Sequence, residues 1–467
     1  MDPSTLPPST YDPGDGRSGR KHVPGVVVVF SGGVPRAQVM TLASGPLEIG
    51  RSDTGLGKLE DGRVSRRHAK LAFEDGRCVV TDLGSQNGTF VDGELAPAHM
   101  PTPAQRVIRI GDSLLVPYDD VTPFERMGVR TIDGFVRGPE MQTVLEEAAH
   151  AARSGTTLHV RGENGTGKEG VVHAFHRAGP RAAKPLVPVN CAAIPHAIAE
   201  RLLFGAKRGA YSGAEADAAG YIQEAEGSTL FLDEIAELDL QVQAKLLRVL
   251  ESKELLPLGA AKPRKVDFAL CSATNKDLRA LVAAGTLRED LYFRVGRPTV
   301  TAPALRNRPE EIPAMIAREL AALSPVPTMH VSLIEQCLLR PWPGNVRELL
   351  AEIRIAAQAA QASGNRVEAR HLSATAGSAF GPAMPESRPT APEQHAGPPS
   401  DGTRKRTPQV DLEWRRRIED ALRANTGNIA ATARALGLHR TQLRRLIERH
   451  GITVAAVAGD GDDEVTD

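Results

Sequence analysis

Gly162-Glu163-Asn164-Gly165-Thr166-Gly167-Lys168-Glu169 decides how this chain is read. A short extended run, Leu158-His159-Val160, precedes it, and a helical segment from Gly170 to about Arg177 is expected to follow. Strand, glycine-rich loop and helix with a lysine at its mouth form a cradle for a nucleoside triphosphate. The glycines let backbone N–H groups converge on phosphate oxygens, and the helix points its positive end at them. Lys168 is the side chain that would reach the β- and γ-phosphates. The hydroxyl residue that usually follows the lysine and serves a magnesium ion is replaced by Glu169.

About 65 residues further on, Ser228-Thr-Leu-Phe-Leu-Asp233-Glu234 reads as an apolar strand that ends in two carboxylates. Hydrolysis of a triphosphate needs one acid to hold magnesium, directly or through water, and another to polarise the attacking water. Asp233 is assigned the metal and Glu234 the water. Residues 131–372 alternate helical and extended segments, as a parallel sheet flanked by helices requires. Between the two motifs, Gly209-Ala210-Tyr211-Ser212-Gly213-Ala214 has the composition of a mobile loop carrying one exposed aromatic ring.

Residues 1–22 contain almost no large apolar side chains and are expected to be disordered. Residues 23–122 hold short extended runs broken by Gly, Pro and Asp: 26–30, 47–49, 69–73, 78–81, 89–91, 107–110 and 114–116. That spacing predicts an all-β sandwich. Three of its loops, Gly50-Arg51-Ser52, Ser65-Arg66-Arg67-His68 and Ser85-Gln86-Asn87-Gly88-Thr89, together offer guanidinium, hydroxyl and amide donors suited to an anion with several acceptor oxygens.

Residues 373–410 are rich in Pro, Gly, Ala and Ser and read as a flexible tether. In 411–455, Trp414, Ile418 and Leu422 share one helical face, and Asn428 caps a second helix. Gly437 makes a turn into a third helix from about Arg440. A helix, turn and helix with Thr441, Gln442, Arg444 and Arg445 facing outward is a DNA-reading arrangement. The segment carries nine Arg against five acidic residues, which favours phosphate contact; a small helical dimerisation bundle is the alternative. The last stretch, 456–467, is an acidic tail.

The 467 residues suit about three domains. Formal net charge is zero, so no global field argues for a polyanionic partner. Cys78, Cys191, Cys271 and Cys337 are far apart, which excludes a CxxC zinc site and suits a reducing compartment. No apolar run is long enough to span a bilayer, and a cytoplasmic location is expected.

The sandwich resembles the forkhead-associated (FHA) domain, which binds phosphothreonine peptides. The resemblance rests on the Gly-Arg, Ser-Arg-x-His and Asn-Gly elements. It implies that Arg51, Ser65 and Arg66 contact phosphate or hold its loop, that Asn87 grips the peptide backbone, and that His68 is structural. The central region resembles the AAA+ domain of sigma-54-dependent activators through seven strings in order. These are 162–169, Val189-Asn190-Cys191-Ala192-Ala193, 209–214, Thr229–Glu234, Ala273-Thr274-Asn275 with Asp277-Leu278, Leu287–Tyr292 with Arg294, and Trp342-Pro-Gly-Asn-Val-Arg-Glu-Leu349.

That resemblance implies an ATPase with a helical lid that works with ATP and Mg²⁺. Asn190 would act as a switch on Glu234. Thr274 and Asn275 would sense the γ-phosphate. Arg288 and Arg294 would reach a neighbouring subunit's nucleotide in a hexamer, and Arg347 would contact nucleotide from the lid. Loop 209–214 would touch the sigma factor of RNA polymerase; Tyr211 and Ser212 stand where the family usually has Phe and Thr. The C-terminal segment resembles the Fis-type helix-turn-helix, which implies DNA contact through Arg440, Thr441, Gln442, Arg444 and Arg445. Together these imply a promoter-opening ATPase with phosphothreonine input. A DNA-binding ATPase that does not engage sigma-54, and a non-enzymatic phosphopeptide adaptor on DNA, stay open at this point.

Overall fold

The structure is a computed structural model that describes residues 22–51, 57–379, 418, 421–423, 429 and 431–432. It divides into two compact units, Met1–Pro382 and Ala383–Asp467.

The first unit opens with strands β1 (Gly25–Ser31), β2 (Val34–Thr41), β3 (Leu47–Ile49), β4 (Ala69–Glu74), β5 (Arg77–Asp82), β6 (Thr89–Val91), β7 (Glu94–Leu95), β8 (Thr102–Ala104), β9 (Ile108–Ile110) and β10 (Ser113–Tyr118). They form two sheets, ordered β2-β1-β10-β9-β6-β7 and β3-β4-β5-β8. All seven expected runs are strands. The sequence gives little sign of β2, β7 and β8. β2 begins Val34-Pro35 and half of its residues are exposed, so it lacks a clear apolar pattern; as the sheet's edge it tolerates a proline that cannot donate to the ladder. Val26, Val28, Leu71, Val80, Ile108, Ile110 and Leu115 fill the space between the sheets.

The chain continues through α1 (Thr122–Met127), the hairpin of β11 (Arg130–Ile132) and β12 (Phe135–Arg137), α2 (Pro139–Arg153), β13 (Leu158–Arg161), α3 (Lys168–Ala178), β14 (Val187–Asn190), α4 (His196–Phe204) and α5 (Tyr221–Glu224). Then come β15 (Thr229–Asp233), α6 (Leu240–Ser252), the hairpin β16 (Glu254–Leu255) and β17 (Arg264–Lys265), β18 (Ala269–Thr274), α7 (Leu278–Ala283), α8 (Glu289–Val295) and β19 (Thr299–Thr301). A parallel sheet runs β14-β15-β18-β13-β19. Its three central strands, β15, β18 and β13, are buried on both faces, as parallel sheets require, while the edge strands β14 and β19 are partly exposed. In β15, Leu230 and Leu232 face the core of α4, α6 and α8, while Phe231 faces α2 and α3.

The α3 helix starts at Lys168, two residues earlier than expected. Gly167 is its cap at φ +94°, a conformation open to glycine at little cost. Gly170 then falls in the first turn, where its N–H donates to the Gly167 carbonyl at 2.9 Å, so its poor propensity for a helix interior matters less.

The lid comprises α9 (Ile312–Ala321), α10 (Val331–Leu339) and α11 (Asn345–Gln361), with the short parallel pair β20 (Thr328–Met329) and β21 (Arg366–Val367). It packs around the fully buried Trp342, whose Nε1 donates to the Cys337 carbonyl at 2.7 Å. The sandwich packs directly on this lid. Val27, Val29 and Phe30 of β1, with Leu114 and Val116 of β10, join Ile312, Met315, Ile316 and Leu338 in one apolar cluster. Arg109 in β9 pairs with Glu335 of α10 at 2.9 Å.

In the second unit the described residues 418, 421–423, 429 and 431–432 are helical, and Ile418, Leu422 and Thr432 are buried. The remaining C-terminal residues singled out above, including Arg440, Thr441, Gln442, Arg444 and Arg445, lie outside the described residues. Among the described residues no helix is long and apolar enough to cross a membrane.

Candidate nucleotide site and its satellites

A cavity between the sheet and the lid is lined by Asn164–Gly170, Asn190, Asp233, Glu234, Arg308 and Arg347, with Phe135, Val136 and Met141 forming an apolar wall. The strand ends explain the meeting. β13 delivers the glycine-rich loop, β15 ends at Asp233, β18 ends at Thr274, and β14 ends at Asn190, in register with Asp233.

Lys168 Nζ donates to the Gly162 carbonyl at 3.0 Å and lies 3.7 Å from the Glu234 carboxylate. Glu234 sits in the left-handed region at φ +50°. Its Oε2 accepts the Thr274 hydroxyl at 2.9 Å and the Asn275 N–H at 3.4 Å. Asn275 Nδ2 also donates to Asn164 Oδ1 at 3.1 Å. The expected acid, base and sensor residues are therefore brought together. Asn190 lines the same cavity, and its Oδ1 accepts from the Ala192 N–H at 3.0 Å.

The donor set suits magnesium. Burial, and then the neighbouring Glu234, raise the Asp233 carboxyl above its ordinary value, so its anion is held at a cost that a bound divalent cation would relieve. Among the described residues no three acidic, His or Cys side chains converge. Magnesium is ordinarily held by one or two carboxylates together with substrate phosphates and water, so Asp233, with Glu234 nearby, fits that pattern.

The sequence did not reveal how the lid is fastened. Asn345 is fully buried at φ +52°. Its Nδ2 donates to Asn164 O at 3.0 Å and to Glu163 Oε2 at 3.1 Å, and its Oδ1 accepts the Leu305 N–H at 2.8 Å. Arg306 holds Glu163 with two bonds of 2.6 and 2.8 Å. Gly165 permits the approach: a Cβ there would stand 2.2 Å from the Gly344 carbonyl. The signal was available in Trp342-Pro-Gly-Asn-Val-Arg, where only Arg347 had been given a role.

Arg288 and Arg294 are not in this cavity. Arg288 forms a two-bond pair with Asp290, at 2.7 and 3.0 Å. Arg294 donates to the Leu250 carbonyl at 3.0 Å and lines a separate hollow with Arg181, Lys253 and Arg297. Loop 209–214 closes on itself through the Gly209 N–H to Ala214 O at 2.9 Å. Its Tyr211 is 41% exposed, and the Arg201 guanidinium donates to the Tyr211 hydroxyl at 2.7 Å.

The sequence profile of the Sigma-54 interaction domain matches residues 135–301, that of the FHA domain 47–112, and that of the bacterial regulatory protein Fis family 415–450. The anaerobic nitric oxide reductase transcription regulator NorR of Aeromonas hydrophila is 38% identical over 342 residues, 72% of this chain and 66% of that protein. The transcriptional regulatory protein GlrR of Escherichia coli K12 is 34% identical over 319 residues, 67% of each. Among solved structures, NtrX from Brucella abortus in complex with ATP matches 69% of each chain at 26% identity and a TM-score of 0.49.

The chain belongs to the sigma-54-dependent transcriptional regulators.

Its match spans about two thirds of the length of those curated relatives. This sigma-54-dependent regulator combines an FHA β-sandwich, an AAA+ P-loop fold and a C-terminal helix-turn-helix family segment. In the sandwich, His68 is fully buried and carries no exposed face for a ligand. The Ser65 N–H donates to His68 Nδ1 at 3.0 Å, so the proton sits on Nε2, which meets the Gly88 carbonyl at 3.2 Å. Burial holds this imidazole below its ordinary pKa, in keeping with the neutral form.

The ring thereby ties the Ser65 loop to the Asn87-Gly88 loop. Gln86 N–H donates to Ser65 Oγ at 3.2 Å, and Asn87 Nδ2 to the Arg63 carbonyl at 2.6 Å. The Arg51 N–H donates to the Ser65 carbonyl at 3.0 Å, while Arg51 and Arg66 are exposed. The structure thus brings Arg51, Ser65, Arg66 and Asn87 to one end of the sandwich in this regulator; Ser52 lies outside the described residues. Asp82, which sequence reading passed over, accepts from the N–H groups of Gly84 and Ser85 and from the Ser85 and Thr89 hydroxyls, fixing the third loop. For the phosphothreonine-peptide binding proposed below, replacing Arg51 by alanine is expected to cost about tenfold to a hundredfold in affinity. The sandwich should stay folded because Arg51 is exposed; titration of a labelled phosphopeptide, with circular dichroism as control, checks both.

Proposed function

We propose that this chain is an ATP-driven transcriptional activator that opens promoters held by sigma-54 RNA polymerase, under control of a phosphothreonine signal. The observation that carries the reading is the Glu234 carboxylate, held between Lys168 and the Thr274 hydroxyl in a cavity under the lid.

Lys168 binds the β- and γ-phosphates of ATP. Glu234 orients and polarises the attacking water, and Thr274 with Asn275 fixes that carboxylate until a γ-phosphate competes for them. Magnesium at Asp233 would supply neutralisation of developing phosphate charge. Asn190 lines the same cavity as Glu234, which supports a switch between them. Arg347 lines it from the lid, which supports a nucleotide contact there. Arg288 and Arg294 lie outside their own cavity, which supports action on a neighbour's nucleotide in a closed head-to-tail ring, a hexamer by resemblance. The FHA sandwich docks a phosphothreonine protein or a kinase, and the Fis-type segment holds upstream DNA.

The sigma-54 contact falls to loop 209–214. Its closed turn and exposed Tyr211 support a protrusion that hydrolysis moves. Ser212→Ala should leave ATP turnover unchanged and reduce promoter opening severalfold; a variant that opens promoters normally removes the loop from the mechanism. A second reading, a DNA-binding ATPase that does not engage sigma-54, is favoured by one observation: the Tyr211 hydroxyl is tied to Arg201, a restraint that phenylalanine would not have.

The test is open-complex formation on a sigma-54 promoter by the purified protein, with and without ATP and a phosphothreonine peptide. Opening that requires ATP and responds to the peptide supports the whole scheme. ATP turnover without opening in either condition selects the second reading.

A further inference from the structure

Tyr118 is the last residue of β10 in the sandwich, yet its hydroxyl leaves that domain. It donates to Glu310 Oε2 at 2.6 Å, and its ring packs against Phe124 at a tilt of 50° with centroids 4.5 Å apart. Glu310 and Glu311 lie in the turn that leads into α9, and both are buried. Glu311 divides its oxygens. Oε1 accepts the Gly138 N–H at 2.6 Å, and Oε2 pairs with Arg308 Nη1 at 2.7 Å. Arg308, only 2% exposed, turns its Nη2 to the Thr166 carbonyl at 2.7 Å. Thr166 is in the middle of the phosphate loop. Glu310 Oε1 is packed so closely on Gly138 that a Cβ there would stand 2.1 Å away. Gly138 directly follows Phe135-Val136-Arg137, which line the nucleotide cavity.

These contacts form one buried polar cluster with the sandwich at one end and the phosphate loop at the other. Glu311 pairs directly with the guanidinium, Glu310 feels its field, and the Arg308 Nε is buried without a partner. Burial and the adjacent Glu311 push the Glu310 carboxyl up to about 8. In that environment a carboxyl oxygen needs a donor, and the donor comes from the first domain. Without it, Glu310 would be left with a buried unsatisfied oxygen, a costly state, and the Arg308 guanidinium, whose field already reaches Glu310, is the cationic group of the cluster that could turn to it. That turn would take Arg308 off the Thr166 carbonyl.

We propose that Tyr118, a residue of the FHA sandwich, is a positioning residue of the nucleotide site, acting through Glu310 and Arg308 on the phosphate loop at Thr166. The inference rests on the ATP reading of that site. The sandwich is then a structural part of the ATPase's binding pocket as well as a receptor for a signal.

The test is ATP binding and hydrolysis by the full-length protein, wild type against Tyr118→Phe, which keeps the ring and its packing. The substitution should raise the ATP Kd and KM about three- to tenfold, with kcat within about twofold, because Glu234 and Thr274 are untouched. Glu310→Gln keeps an acceptor oxygen for the phenol. It leaves no carboxylate to draw Arg308 off Thr166, so in the double variant Tyr118→Phe/Glu310→Gln the rise in Kd seen with Tyr118→Phe should be suppressed instead of adding to the effect of Glu310→Gln. Arg109→Met removes a different sandwich–lid contact, the pair with Glu335, and should leave the ATP Kd unchanged.

An equal Kd in wild type and Tyr118→Phe overturns the inference. So does additivity in the double variant, or an equal loss in Arg109→Met, which would assign the effect to docking in general. A wild-type protein that binds no ATP overturns the nucleotide reading first, and this inference with it.

Discussion

Replacing Lys168 by alanine is expected to lower ATP affinity by about 10²–10³-fold, the effect of removing one partner of a buried charge pair. Lys168 has a side chain only 10% exposed and holds two backbone carbonyls of the loop, those of Gly162 and Glu163. The same ammonium offsets Glu234, and Asp233 feels its field. Without it, a triphosphate would enter a cavity lined by Asp233, Glu234 and Glu169 with less opposing charge. Both losses act in one direction, on binding. Equilibrium titration with ATP at fixed magnesium measures it, and equal affinity in wild type and variant would remove Lys168 from the phosphate site.

Glu234→Ala is expected to separate binding from chemistry. General-base or water-orienting groups contribute about 10²–10⁴-fold to rate, and hydrolysis should fall by that amount. Affinity for ATP should be unchanged or tighter, because a carboxylate that repels the γ-phosphate is gone and Lys168 is released to it. The left-handed backbone at φ +50° is as strained for alanine as for glutamate, so folding stability is not the expected casualty. Turnover and affinity measured on the same preparation decide the point. A variant that hydrolyses ATP at the wild-type rate would transfer the role to another group.

Residues whose place in the fold is set by local spacing were legible in the sequence. The strand, loop and helix at 158–177, the two acids after an apolar strand, and the three loops of the sandwich needed only neighbours along the chain. Residues whose job depends on distant partners were not. Asn345 looks like a turn residue until Glu163 and Leu305 arrive, and Arg308 looks like a surface charge until Thr166 and Glu311 surround it. Tyr118 ends a strand, and nothing near it in sequence announces Glu310. β2 was missed for the opposite reason, since an exposed edge carries no apolar pattern to read. The DNA-contact assignment at 440–445 lies outside the described residues and rests on the sequence.

Five consecutive apolar residues, Val26 to Phe30, are buried in a sheet whose two faces both meet apolar matter. Val26 and Val28 point into the sandwich, while Val27, Val29 and Phe30 meet the lid. In most antiparallel strands a slip of one residue is forbidden because it exposes the apolar set to water. Here the slip would exchange one set of valines for another, and hydrophobicity would hardly object. Registration must come from the backbone instead. A bulge between Val28 and Phe30 interrupts the pairing with both neighbours. Gly32 and Gly33, at φ +62° and +80°, close a two-residue hairpin between Ser31 and Val34, the geometry that fixes strand alignment most tightly. Gly25 allows the Met40 carbonyl to come within 2.5 Å of where a Cβ would stand. The alignment of this strand is thus written in its glycines, and with it the choice of which valines serve the sandwich and which serve the lid.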